Sequence, residues 1–336
     1  AVVDKRHGSE QYEAVKTIAH LAKKIGAAAG QSSNYELIVK YMKLGGNGPI
    51  MSNALASLGI DVTYVGNLGY PNLHPVFEEF SKRAKVISIG EPGHTDALEF
   101  SDGKLMLGKL TPLGEVNWDN LINRLGRDEL SKLIKQSQLI GMVNWTMLPH
   151  MSRIWAHLLD EVIPNIERHQ RKLFVDLSDP EKRTQVDIID ALKLLTRFQD
   201  QVDVILGLNL KESVEIADVL GLSGQANPEA FIEETARAIR DELGLYCVVI
   251  HPRKGAAAAT AEGSDSYAGP FVSAPRISTG AGDHFNAGFC LGQVLGYSLA
   301  ESLCTGVATS GYYVRNAESP TIAELVEFIE HLPDSE

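Results

Sequence analysis

Ser278-Thr279-Gly280-Ala281-Gly282-Asp283 runs directly into His284–Leu295, a stretch that reads as helix as far as Gly296. Two glycines separated by one small residue let backbone N–H groups converge into an anion-binding concavity. The helix that follows presents its positive end at the same point. Asp283 then lies where a carboxylate would face a bound phosphate. That is awkward for a structural residue, and sensible if the carboxylate takes the proton of a hydroxyl attacking the phosphate. An ordinary Asp is mostly ionised at neutral pH and needs no large pKa shift for this task. The competing reading is a glycine-rich turn with Asp as a helix cap.

Two further motifs precede it in the chain. Asn209-Leu210-Lys211-Glu212 follows an apolar run, Val202–Leu206. A Glu at a strand's carboxyl end can hold Mg²⁺ through water, and Asn can position it. A capping box, with Asn at the cap and Glu three residues on, is the structural alternative. Earlier still, Gly45-Gly46-Asn47-Gly48 leads to Asn53-Ala54-Leu55-Ala56-Ser57-Leu58-Gly59. Close glycines admit ligand hydroxyls to backbone amides, and Asn can donate and accept to a polyol. A tight turn before a helix reads equally well.

Around these motifs the chain alternates strand and helix. Buried strands are expected at Val62–Val65, Val86–Ile89, Leu139–Val143, Leu173–Val175, Val202–Leu206 and Cys247–Ile250. Helices are expected at Ser9–Ala28, Met51–Leu58, Asp128–Gln136, Met151–His169, Val186–Phe198 and Asn227–Glu242, and again at Leu299–Val314 and Ile322–Leu332. Tyr35–Leu44 reads as extended. The pattern predicts an α/β fold with a mostly parallel central sheet and helices on both faces. Glu99–Leu110 differs, with two extended arms around the turn Asp102-Gly103. A hairpin inside an α/β chain is a candidate β-lid.

The chain has 336 residues, 44% of them hydrophobic, and a formal net charge of -12. Such acidity argues against nucleic acid as a partner. Cys247, Cys290 and Cys304 are few, odd in number and widely spaced, so neither disulfides nor zinc are expected. With no apolar run of membrane-spanning length, the expectation is a cytoplasmic protein without a membrane partner. Ten histidines show no metal-ligand spacing. Asp176 and Asp179 end a strand, where they either line the cleft or, the favoured reading, form a solvated turn. Asn144-Trp145-Thr146 also follows a strand, with Trp145 stacking on a ligand or simply packing.

Taken in order, the three motifs resemble the ribokinase-like (PfkB) carbohydrate kinases. Gly45–Gly59 is similar to that family's first signature, Ile277–Leu291 to its second, and Asn209–Glu212 to its Asn-x-x-Glu motif. The resemblance runs from about Tyr35 to the C-terminus. It implies one ribokinase-like domain over residues 1–336, with a lid from parts of 1–45 and 95–112. Asp283 would be the base, and Gly280, Ala281 and Gly282 the anion hole. Asn209 and Glu212 would organise Mg²⁺ and the phosphates of ATP. Thr279, with Arg253 and Gly255 in the turn His251-Pro252-Arg253-Lys254-Gly255, would bind nucleotide. Gly45, Gly46, Asn47, Asn53 and Asn144 would meet a sugar-like substrate. Relatives pair through their lids, which makes a homodimer an expectation. Ile277 stands where the family's potassium-holding acid often lies, leaving a monovalent cation open. The family's first strand, with its sugar-binding Asp, has no clear counterpart near Asp4, so part of the sugar site is expected to be missing. The acceptor is left between a pentose, a hexose, a nucleoside and a vitamin precursor. An inactive sugar or nucleotide sensor on the same scaffold is the second reading. A dehydrogenase is disfavoured, since no G-x-G-x-x-G follows an early strand.

Overall fold

The computed structural model describes residues 1–167, 171–222 and 227–336. The chain opens with β1 (Val3–Arg6), β2 (Tyr12–Ala14), α1 (Ile18–Ala27) and α2 (Asn47–Ser57). It continues through β3 (Thr63–Gly66), α3 (Glu78–Ser81), β4 (Lys85–Ser88), β5 (His94–Phe100) and β6 (Gly103–Lys109). Then come α4 (Trp118–Leu125), α5 (Arg127–Gln136), β7 (Leu139–Val143), α6 (Met151–His157), β8 (Lys172–Asp176), α7 (Gln185–Gln199), β9 (Asp203–Leu208), α8 (Leu210–Val219) and α9 (Ile232–Leu243). The last part holds β10 (Cys247–Ile250), β11 (Gly255–Ala259), β12 (Ser264–Ala268), α10 (Ala281–Leu295), α11 (Leu299–Asn316) and α12 (Ile322–Glu330).

Among the described residues six strands form the central sheet, in the order β12-β11-β10-β9-β8-β7. β7 to β10 are parallel neighbours, while β11 and β12 add antiparallel at one edge. Successive residues of a strand point to opposite faces, and here they enter two different cores. Leu173, Val175, Val204, Leu206, Val248 and Ile250 pack with α5, α6, α7 and α9 residues such as Ile134, Trp155, Leu195 and Ile239. Phe174, Ile205, Cys247 and Val249 pack with Met51 and Leu55 of α2, Phe285 and Phe289 of α10, and Val307 of α11. Burying each such side chain contributes about 1.5–3 kcal/mol, an upper estimate. Both faces being covered, the strands read as unbroken apolar runs, as buried parallel strands do.

A smaller unit stands apart from this sheet. β1 pairs antiparallel with β2, and β5 with β6. Val2, Val15, Leu21 and Leu98 form its core, with Tyr35, Phe100 and Leu105 against them. Asp102, in the β5–β6 turn, caps α1 from outside: its carboxylate accepts from Ile18 N at 2.7 Å and Ala19 N at 3.3 Å.

Some expected elements need correction. The helix expected from Ser9 begins only at Ile18. Tyr12–Ala14 is strand, and Thr17 stops the helix from extending backward by accepting from His20 N with its side chain. The helix expected over Met151–His169 is α at Met151–His157, then a π turn at Leu158–Val162 and a 3₁₀ turn at Ile163–Asn165 around Pro164. Positions 168 and 169 lie outside the described residues. Among the described residues Tyr35–Leu44 forms no strand, and its pairing is a bridge between Leu37 and Val2. β11, an alanine run, and β12, the mostly polar Ser264–Ala268, carry little strand signal in the sequence.

Candidate active site

The carboxyl ends of β7, β8, β9 and β10 open onto a cleft of about 2570 Å³. The 37–48 segment and the β5–β6 hairpin line it from the other side. Ligands of open α/β sheets gather at such strand ends.

α10 is buried all round from Asp283 to Gln293. Such a helix is expected to be apolar, yet its first turns carry Asp283, His284 and Asn286. Gly280, just ahead, has φ 93°, a conformation in which glycine has no Cβ to clash. A Cβ there would lie 3.1 Å from Tyr313 Oη and 3.3 Å from Ile50 Cγ2. Tyr313 Oη donates to Thr279 O at 2.9 Å and its ring stacks on His284, with centroids 3.6 Å apart. His284 Nδ1 meets Gly280 O at 2.7 Å. Loop and helix start are thus held as one piece.

Asp283 is 7% exposed and accepts a hydrogen bond from the Asn47 side chain. Burial, then the carboxylate of Asp176, push its pKa well above the ordinary range, with a smaller push from Glu212. Asn47 opposes them. The expectation of an unshifted carboxylate is therefore corrected: the charged form has lost its water.

Glu212 caps α8 as the structural alternative required. Its Oε2 accepts from Asn209 N at 2.9 Å, and Asn209 Oδ1 accepts from Glu212 N at 3.0 Å. It does more than cap its own helix, because Oε1 accepts from Asp179 N at 2.9 Å. Burial and then Asp176 raise its pKa to about 7. The Asp176 reading is corrected too. It is not a solvated turn residue but is buried at the end of β8, accepting from Ser178 Oγ at 2.7 Å and Asn286 Nδ2 at 2.9 Å. Burial raises its pKa against those two bonds.

The other sequence candidates divide. Gly45, Gly46, Asn47, Asn144, Asn209, Thr279 and Gly282 line the same cleft. Gly46 has φ 89° and precedes the first turn of α2. Asn144 holds φ 66°, and its buried Oδ1 has no hydrogen-bond partner. Ala281 closes the Gly280 turn by donating its N–H to Ser278 O at 3.2 Å. Asn53 lies elsewhere: six residues after Asn47 it has turned to another face of α2, where it donates to Ser319 Oγ at 3.2 Å. Arg253 is not part of the cleft lining and lies over Phe271, 5.5 Å from its ring centre. Gly255 starts β11, where a Cβ would lie 2.7 Å from Tyr267 O, so packing alone explains it. Trp145 is fully buried and donates to Ser152 Oγ at 2.8 Å, which settles it as packing. Asp4 pairs with Lys24 at 2.5 Å and does not line the cleft.

Sequence reasoning passed over His251 and Asn286. His251 lines the cleft beside Gly282 and stacks on Phe285 at 4.7 Å. Its buried Nε2 has no partner, and burial drops its pKa to about 4, so the ring is neutral. Its position right after a buried strand was the available signal.

No described set of three His, Cys, Asp or Glu side chains is grouped to cage a metal. Mg²⁺ seldom needs one: it keeps waters and leans on one or two carboxylates plus phosphates. Glu212 and Asp176, with lone pairs left over, fit that use. No helix of the described residues is long and apolar enough to cross a membrane.

The model of the prokaryotic ketohexokinase family matches residues 1–332. A ketohexokinase from Haloferax volcanii is 31% identical over 328 residues, covering 97% of this chain and 86% of that protein. Among solved structures, Arabidopsis thaliana ribokinase with ribose and ATP superposes with TM-score 0.65 at 16% identity, covering 90% and 91% of the two chains. The E. coli protein described as a ribokinase II, in complex with ATP and Mg²⁺, gives 0.64 at 16% identity, covering 90% and 92%. At that identity the likeness is one of fold, and the fold is that of the ribokinase-like (PfkB) kinases. The chain belongs to the prokaryotic ketohexokinase family and is a carbohydrate kinase.

Proposed function

We propose that the protein transfers the terminal phosphoryl group of ATP to a hydroxyl of a ketohexose. The observation that carries this is Asp283, buried at the mouth of α10 beside the Gly280 turn and held by Asn47. The names of the family and of the Haloferax relative support a ketohexose, and the two ligand-bound neighbours support ATP with Mg²⁺.

In this reading Asp283 accepts the proton of the attacking hydroxyl. The new bond joins that oxygen to the terminal phosphorus, and the bond to the bridging oxygen breaks, giving ADP and a sugar phosphate. A base works best with its pKa near the operating pH, so the upward push from burial and Asp176 is useful. The amides of Gly280 and Gly282 would face the transferred group, while the Ala281 N–H, taken by Ser278 O, holds the turn that presents them. Bound Mg²⁺ would screen the phosphate charge. Glu212, steadied by Asn209, would hold its water shell. Gly45, Gly46 and Asn47 would contact the sugar, and the unpartnered Asn144 Oδ1 would accept from one of its hydroxyls. Residues 1–45 and 95–112 would close over it as a lid on one 336-residue domain. Pairing of two copies through that unit would cover exposed apolar side chains at the cleft mouth, Val39, Tyr41, Met42 and Met106, and Leu107 outside it.

Release of ADP measured against ketoses, aldoses and nucleosides tests the reading. A ketohexose should be turned over fastest. Turnover of nucleosides alone would overturn the acceptor, and no ADP from any acceptor would favour a sensor.

A further inference from the structure

Two lysines, Lys104 and Lys43, line the lip of the cleft. Lys104, on β6, stands opposite Glu99 of β5 in the hairpin register. Its Nζ donates to Thr279 Oγ1 at 2.5 Å, joining hairpin and glycine loop across 175 positions of chain. Glu99 Oε1 lies farther off, at 3.8 Å. Lys43, two residues before Gly45, lines the same cleft. Burial and the nearby charge of Lys104 push the Lys43 ammonium down. The Glu99 carboxylate opposes that push only in part, and an anion bound at the lip would favour both ammonium groups. Thr279 is the residue before the Gly280 turn, so Lys104 reaches the rim of the amide concavity at the start of α10.

We propose that Lys104 is the positive group that the hairpin delivers to the transferring phosphoryl, with Lys43 beside it. The inference rests on the reading of Gly280–Asp283 as the phosphoryl site and deepens it. Phosphoryl transfer spreads charge over three equatorial oxygens, and the protein's main contribution is to meet that charge. The amides meet it from the α10 side, and Lys104 meets it from the hairpin side. Its ammonium moves from Thr279 Oγ1 to a phosphoryl oxygen, a short step for a flexible four-carbon stem. Because Lys104 rides on the hairpin, cover and charge arrive together. The shared chemistry is a phosphoryl group, which could also belong to an acceptor that already carries a phosphate. The position next to Gly280 commits the proposal to the group in flight.

The test compares wild type with Lys104→Met, Lys104→Gln and Lys104→Arg, using a neutral ketohexose and MgATP. A second measurement is binding of ADP with and without aluminium fluoride, a planar stand-in for the transferring group. Loss of one such charge contact predicts a fall in kcat of roughly 10- to 100-fold for Met and Gln, with the sugar KM within about threefold. Arg should recover most of the rate. ADP alone should bind the Met variant as it binds wild type, while ADP with fluoroaluminate binds more weakly. Lys104 is partly exposed, so an unchanged thermal midpoint is expected, and Gln serves if Met disturbs the hairpin. A normal kcat in both Met and Gln overturns the inference. So does a loss confined to sugar KM, or one seen only with phosphorylated acceptors. If Asp283→Asn is inactive while Lys104→Met is normal, this inference alone falls. If Asp283→Asn keeps its turnover, the underlying site reading falls.

Discussion

Asn286 donates its side-chain amide to Asp176 at 2.9 Å, fastening the second turn of α10 to the end of β8. The bond leaves the Asp176 charge in a buried place where it acts on Asp283 and Glu212 together. The three carboxylates thus share one electrostatic account, and their behaviour is linked.

Asp176→Asn keeps an acceptor for Asn286 and removes the charge. The carboxylate of Asp283 should then ionise more easily. The acid limb of the pH profile of kcat/KM, set by deprotonation of the base, should move to lower pH. A limb at the wild-type position would show that Asp283 does not feel Asp176 or does not control the rate.

Glu212→Gln should raise the Mg²⁺ concentration needed for half-maximal rate. Unaltered magnesium dependence would return Glu212 to capping alone. Stability gives a second readout. The folded-state pKa of Glu212 is raised from 4.5 to about 7. Between those values the native state holds a proton that the unfolded state has released, so this group's contribution falls as pH rises. Gln has no such loss. Urea unfolding should find the variant relatively better at pH 8 than at pH 5, by about 1–3 kcal/mol. A gap independent of pH would contradict the raised pKa.

Gly280→Ala should cost about 1–2 kcal/mol, since a side chain is strained at φ 93°. It should also lower turnover, because the new Cβ crowds Tyr313 and Ile50 and moves the loop amides. A variant of normal stability and rate would remove the special turn from the account.

The two-sided sheet was legible because β7 to β10 are continuous apolar runs between amphipathic helices, and helix α10 because its glycines announce its start. β1 and β2 were not, since three- and four-residue strands of mixed polarity pair only through tertiary contact. In the site, the order of Gly45-Gly46, Asn209-x-x-Glu212 and Gly280–Asp283 could be read directly. What could not be read was depth: Asp176 looks like a turn residue in sequence, and only packing under α10 buries it. Asn53 failed for a related reason, because its distance from Asn47 along α2 decides its direction and composition does not.

The central claim is that Asp283 takes the proton of the attacking hydroxyl. The most direct measurement is turnover and ATP affinity for wild type and Asp283→Asn with an accepted ketohexose. The Asn side chain keeps size and a hydrogen bond to Asn47 but has no basicity. Turnover is predicted to fall by roughly 10²-fold or more, the scale of lost general-base catalysis. ATP should bind as well as before or somewhat more tightly, since a negative charge beside the phosphates is gone. Near-normal turnover in Asp283→Asn would contradict the account.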